Sequence, residues 1–409
     1  MTRAGWRGGP GFVLLTLTLV NTVNWADRQV VPILVPAIKA DLALTDTQLG
    51  LVGGLAFSLI YALSAFLFGF LADRSSRRRV ILFGLVCWSV ATAAGAFAHD
   101  FWSLFAARFV TGIGEASLYP CAMSLLTDAF PTERQGNAIG MFGASTAVGS
   151  GLGIGLGGPL VAHLGWRSVF LLYGGAGLLV LPLLLMMEEP ARSGSEVALA
   201  HDPPVSIIRG ALGDVRLLAV WLTGTLLIAA ATGWITWAPT YFVRDLQFDV
   251  GSVAGIFGIA QLFGGVAGSI AGGRLGDRYR KRRVAGQLSV AALASLAAVP
   301  LFGVALLDVP HPLLMTCAVL GPFAIFAAFP SLQSQVAEIV PARRRGLVFA
   351  VHVFFLSGIG AALGPFLVGF LSDRTGSLRA ALLAPLLGVL LASLSAMFAA
   401  RVVRARTPS

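Results

Sequence analysis

Charged side chains make up only 12% of this 409-residue sequence, about half the share that coats an ordinary soluble domain. A water-soluble globule is excluded on that ground. Cysteine is nearly absent: Cys87, Cys121 and Cys317 all fall in apolar runs, with no CxxC spacing and no histidine cluster beside them. Neither a disulfide framework nor a metal site follows. Missing too are the G-x-x-x-x-G-K-[ST] phosphate loop, H-E-x-x-H and G-x-S-x-G, which removes support for ATP-driven pumping and for the hydrolases those motifs mark. A membrane enzyme of another kind needs carboxylates or histidines clustered at a membrane surface, and the sequence has no such cluster. Acidic residues are also scarce, 19 against 29 Lys and Arg.

What fills the chain is apolar: 56% of residues are hydrophobic and the mean hydropathy is +0.83. A membrane-spanning helix needs about 20 such residues in a row. Twelve runs qualify, over 12–37, 47–72, 79–98, 101–127, 136–162, 167–187, 217–243, 250–274, 284–307, 312–336, 346–371 and 379–400, numbered here as spans 1 to 12. They are long and continuous, whereas barrel strands would alternate over about ten residues. The expected fold class is therefore an all-α membrane protein of twelve spans, each pairing its backbone within itself.

The basic residues orient it. With both termini in the cytoplasm, cytoplasmic segments hold 22 of the 29, external ones hold Lys39, Arg167, Arg244, Arg374 and Arg379, and Arg28 and Arg108 lie within spans. Cytoplasmic loops carry such an excess, so the net charge of +10 marks topology in a bacterial inner membrane. Anionic lipid headgroups, and not nucleic acid, are the partner it implies. The first residues, MTRAGWRGGPGFVLLTLTLV, read as a retained span, since no small-residue cleavage site follows.

The longest polar stretch, Glu188 to Arg216, divides the spans six and six. Two bundles, 1–187 and 217–409, are expected around a cytoplasmic linker, 188–216, in which Val205 to Asp214 suits a short surface helix. Internal repetition supports the division. GFLADRSSRR (Gly69 to Arg78) after span 2 returns as GRLGDRYRKR (Gly273 to Arg282) after span 8, and DAFPTERQG (Asp128 to Gly136) before span 5 is echoed by EIVPARRRG (Glu338 to Gly346) before span 11. Matching loops in matching places imply two related bundles with a path between them.

These residues also carry a resemblance. The G-x-x-x-D-R-x-x-R-R loop at Gly69 to Arg78, RFVTGIGEA at Arg108 to Ala116 and the glycine-rich run from Gly149 to Pro159 resemble three signature motifs of the major facilitator superfamily. NWADRQVVPILVPAIKADLALTDTQLGLVGGLAFSLIYA (Asn24 to Ala62) is similar to the Spinster subfamily, whose animal members move lysophospholipids or sphingosine phosphate. The resemblance implies a secondary transporter working by alternating access, proton-coupled and monomeric, for a small or amphipathic, lysolipid-like solute. Export of drugs, sugars or organic acids, uncoupled facilitation and lipid scrambling stay open beside it.

Asp27, Arg28, Arg108 and Glu115 are the charges placed well inside spans. Each costs at least about 2.5–3.5 kcal/mol to insert, so they are expected to pair and to face the interior. Arg108 and Glu115 share one face of span 4, about 10 Å apart along it. Spans 1 and 4 run in opposite directions, which lets Arg28 reach Glu115 while Asp27 lies nearer Arg108. Glu115 is expected to act as a proton switch, with a permanent structural ion pair as the bland alternative. No cofactor is implied beyond the proton. By resemblance, Gly69, Asp73, Arg74 and Arg77, with Arg134 and Asp277, form a cytoplasmic gate in which Asp73 latches to the start of span 11 near Gly346. The arginines serve equally well as topology anchors. Phe57, Tyr61, Trp237, Tyr241, Phe329 and His352 are the residues put forward for a cavity lining. Gly112 and Gly114, and the series Gly149, Gly153 and Gly157, are expected to let helices approach closely. Pro159 is expected to bend the end of span 5.

Overall fold

A computed structural model describes residues 9–192, 204–307, 309–341 and 344–406. Among them the regular structure is helical throughout. Nine helices among the described residues are long and apolar enough to cross a membrane, and one of these, Thr132–Met186, contains two spans joined at Gly165. Gly165 adopts φ +76°, a left-handed value that glycine tolerates at little cost. Pro159 lies inside this helix, six residues before the junction.

The two remaining spans are each broken into two helices. Span 1 comprises Pro10–Arg28 and Val30–Leu42, and span 4 comprises Phe101–Glu115 and Leu118–Ala129. Prolines account for both breaks. Pro32 and Pro120 lack the N–H that would bond to the carbonyls of Arg28 and Ala116, and their rings crowd those carbonyls. Each break thus falls beside a buried charge. Spans 2, 8 and 11 carry π turns instead, at Leu51–Leu55, Ala260–Gly264 and Phe354–Gly360. The linker supplies the short helix Pro204–Gly213.

The basic loops 74–79 and 274–283 gather at one end, called the basic end here. Toward the other end the halves touch without intervening side chains. A Cβ on Gly50 would lie 2.5 Å from the Pro365 carbonyl oxygen, and one on Gly54 2.6 Å from that of Ala362, so spans 2 and 11 meet backbone to backbone. Spans 5 and 8 do the same: a Cβ on Gly158 would lie 2.2 Å from Ala254 Cβ, and one on Gly258 2.7 Å from the Gly151 oxygen. Toward the basic end both pairs diverge. Added Cβ atoms at Gly143, Gly140 and Gly136, and at Gly69 and Gly346, would meet nothing within 4 Å.

Polar contacts complete the closed end. Asp46, at the start of span 2, is buried and pairs with Lys39 and, at 3.2 Å, with Arg244 of span 7. Ser372 of span 11 donates to Asp46 at 2.6 Å. The next residue, Asp373, accepts from the backbone N–H groups of Asp46 and Thr47 at 3.0 and 2.7 Å, where a helix N-terminus favours an anion.

Candidate functional site

Between the halves lies a cavity of about 560 Å³. Among the described residues that line it, Arg28 alone carries a formal charge. Its Nε donates to Glu115 Oε2 at 2.7 Å, joining span 1 to span 4. Glu115 has no exposed surface, whereas the Arg28 side chain keeps 15% of its own. The cation therefore reaches the cavity and the carboxylate behind it does not. Three rings hold the guanidinium, with centroids at 4.2 Å (Tyr61), 4.5 Å (Trp25) and 5.2 Å (Phe57), close enough for cation–π attraction.

The second pair sits deeper. Arg108 Nη1 lies 3.5 Å from Asp27 Oδ1, with both side chains almost wholly buried, and Thr92 Oγ1 donates to Asp27 Oδ2 at 2.5 Å. The Phe57 ring stands 5.0 Å from Arg108 as well as beside Arg28, so one aromatic ring serves both cations. The satisfaction is incomplete: Glu115 Oε1, Asp27 Oδ1, Arg108 Nε and the Asn24 amide nitrogen are buried without hydrogen bonds. A cluster whose hydrogen bonds are only partly made is costly to keep if its only role is structural.

Glycine lets these helices close. A Cβ on Gly112 would meet Ile60 Cγ2 at 2.7 Å and the Phe57 oxygen at 2.8 Å, and one on Gly114 would meet the Trp88 nitrogen at 2.7 Å. Along span 5, Gly149, Gly153 and Gly157 press on Thr22, Ala26 and Ile33 of span 1, while Gly151 and Gly158 press on span 8. The helix is thus small on two faces.

Of the residues put forward for the lining, Phe57, Tyr61 and Phe329 reach the cavity; three others do not. Trp237 has no exposed surface and donates its indole N–H to the Pro365 carbonyl at 2.8 Å, fastening span 7 to span 11. Tyr241 is buried against Phe242 in the core. His352 is buried beside Phe349, with both ring nitrogens lacking hydrogen bonds. Helical phase explains these misses, since a span's aromatics divide among cavity, core and lipid. Sequence reading missed Trp25, although it lies one turn before Arg28, and it missed Gln261.

At the basic end the residues named for a gate stand apart from one another. Arg77 is buried and fully engaged within its own half: it pairs with Asp128, bonds Glu189 at 2.9 Å, and donates to Ser124 Oγ and the Pro190 carbonyl at 2.9 and 3.0 Å. In this arrangement it staples the linker to the N-terminal bundle. Arg74 is exposed, its guanidinium 3.7 Å over Phe70. Arg134 is exposed, and so is Asp277, 3.9 Å from Arg280. Gly69 and Gly346 face open space. The Asp73 side chain lies outside the described residues.

A family model for the Major Facilitator Superfamily matches residues 17–365. The chain belongs to that superfamily. It is therefore a membrane transporter and not an enzyme. Among relatives, it is similar to an MFS-type efflux pump of Mycolicibacterium smegmatis, at 28% identity over 87% of this chain and 83% of that protein. It is also similar to Protein spinster of Drosophila melanogaster, at 26% identity over 88% of this chain and 62% of that one, and to a hexuronate transporter of Bacillus subtilis, at 27% identity over 91% and 90%. The superfamily member's fold matches, with a TM-score of 0.87, 23% identity and 98% coverage of both chains, that of a bacterial homolog of the human lysosomal transporter Spinster in an inward-facing and unoccupied conformation.

Proposed function

We propose that this superfamily member is a proton-coupled carrier of anionic amphiphiles, lysolipid-like in having one charged end and one apolar tail. The observation that carries the reading is the Arg28–Glu115 pair, whose cation faces the cavity while its carboxylate does not. An anionic headgroup and the Glu115 carboxylate compete for one guanidinium. Protonating Glu115 removes the competitor, so proton and anion favour each other's binding. Such linkage is reciprocal, and a carrier that binds both together moves both in one direction. The opposite wall, with Ile228, Ile235, Ile325 and Phe326, offers apolar surface to a tail.

The rocking bodies in this reading are 1–187 and 217–409, joined by 188–216. The basic end faces the cytoplasm of a bacterium, with both termini on that side, and the carrier works as a monomer. Asp73 closes the basic end when the halves rock, near Gly346 and Arg134.

Flux into proteoliposomes tests the coupling. Glu115→Gln is expected to abolish the response to an imposed proton gradient while exchange at equal pH survives, because the amide imitates a protonated carboxyl that cannot cycle. Arg28→Gln is expected to lose binding and exchange alike, by at least about tenfold, the scale of one charge-assisted hydrogen bond. Proton-driven uptake in Glu115→Gln would sink the switch. Loss of fold in both variants would make the pair structural.

A further inference from the structure

The cavity wall opposite Arg28 is apolar for most of its area, yet span 8 places a glutamine in it. Gln261 is the second residue of the π turn Ala260–Gly264. Its side chain lines the cavity and is 7% exposed, and its amide makes no hydrogen bond among the described residues. A π turn offsets the residues beyond it from regular helical phase and is frequent at functional sites. Here it stands where Gly258 and Gly264 hold span 8 against spans 5 and 10. In the same lining, Trp234 stacks on Phe302 at 4.2 Å between ring centroids, with its indole N–H buried and without a partner among the described residues. Two neutral polar groups thus stand unsatisfied on an apolar wall. The Gln261 amide opens on the cavity, and a buried N–H left unpaired, as that of Trp234 is, is disfavoured unless a partner reaches it.

We infer that Gln261, with the Trp234 N–H, forms a second, uncharged subsite that hydrogen-bonds a neutral group of the ligand, a hydroxyl, ester or amide set between its anionic end and its tail. The inference rests on the carrier reading for the anionic end only. An amide both donates and accepts, so it suits a hydroxyl or an ester carbonyl, while the indole N–H donates to an oxygen. A site built to hydrogen-bond such a group discriminates strongly against an analogue lacking it, because its own polar atoms are then left unpaired. Gln261 is in this view a specificity-determining residue.

Three probes with a twelve-carbon tail separate the two subsites: lauroyl lysophosphatidate has an anion, an ester and a hydroxyl, dodecyl phosphate has only the anion, and monolauroylglycerol has only the neutral groups. Binding to the purified full chain is measured by calorimetry. The wild type is expected to bind lysophosphatidate at least about tenfold tighter than dodecyl phosphate, about 1.4 kcal/mol. Gln261→Met, close in volume, is expected to erase that preference while leaving dodecyl phosphate unchanged, and Trp234→Phe, which keeps the stack on Phe302, is expected to reduce it. Monolauroylglycerol binding should fall in both variants. Equal affinity of the wild type for the two phosphates, or a Gln261→Met variant that keeps the preference, would overturn the subsite. Should Gln261→Met fail to fold, Trp234→Phe decides by the same comparison. If neither phosphate binds but monolauroylglycerol does and loses affinity in Gln261→Met, the anion reading fails and the subsite stands. Absence of binding by all three overturns both.

Discussion

Glu189 shows what a single residue contributes at the start of the linker. Its carboxylate takes hydrogen bonds from Ser76 Oγ, from the Arg77 backbone N–H at 3.1 Å and from Arg77 Nε at 2.9 Å. Partial burial works against its charge, but these donors outweigh the burial and hold the carboxyl below its ordinary range. A lowered folded-state pKa gives stability that is fully present above the unfolded value and lost as pH falls through the folded one. Glu189→Gln is accordingly expected to lower stability near neutral pH by on the order of 1 kcal/mol, allowing for its partial exposure, and to flatten the acid limb. Thermal unfolding in detergent between about pH 7 and about pH 3 measures it, and an unchanged acid limb would refute it. The residue-level site was partly legible for a simple reason: four charges in apolar runs have few places to go. Arg28 finding Glu115 and Arg108 finding Asp27 follow from the opposed directions of spans 1 and 4. Arg77 was harder to read, because its partners Asp128 and Glu189 lie at polar span ends, where a charge has water and many other groups as alternatives.

At the scale of helices, glycine positions were readable and helix phase was not. The spacing of Gly149, Gly153 and Gly157 gave their common face directly. Gly153 shows the consequence, since a Cβ there would lie 2.6 Å from the Ala26 oxygen and 2.8 Å from its Cα, both backbone atoms that cannot swing aside. Gly153→Ala is expected to destabilise the N-terminal bundle by about 1–3 kcal/mol, as overpacking does. Gly175→Ala, on the same long helix with nothing within 4 Å of its added Cβ, is expected to leave the midpoint of thermal unfolding unchanged. Equal midpoints for the two variants would contradict the packing described for span 5. The π turns at Leu51–Leu55, Ala260–Gly264 and Phe354–Gly360 leave little trace in composition. Past each one a regular wheel loses phase, and residue type by itself does not say which face a span aromatic takes: Phe57 and Phe329 line the cavity, whereas His352, which precedes the π turn of span 11, is buried away from it.

For the whole molecule, hydropathy and repetition conveyed the architecture, whereas the state of the cleft depends on contacts between distant segments. Asp46 and Asp373 bind the start of span 2 to spans 7 and 11 at one end, and the other end is apart. Ser58 lines the cavity, so a cysteine there reports access to it. With Cys87 replaced by serine, Ser58→Cys is expected to react with a membrane-impermeant maleimide mainly from the cytoplasmic side. Adding Asp46→Asn, which weakens the closed end, is expected to raise reactivity from outside severalfold. Reaction from outside alone in the parent would reverse the orientation, and no change with Asp46→Asn would remove that contact from the closure.

The divergence of spans 5 and 8 from the contact at Gly158 to the open space at Gly136 has a mechanical consequence. A span is about 30 Å long, so halves pivoting near one end trade a small angle there for a large displacement at the other. In the carrier reading proposed above, the halves part at one end and then at the other, so each cycle would hand lateral area from one leaflet to its opposite. Lipid packing then performs work on the cycle without touching any binding residue. Bilayers with crowded and relaxed inner leaflets should differ in the reactivity of the same Ser58→Cys reporter, and identical reactivity in the two would mean that the cycle exchanges no area.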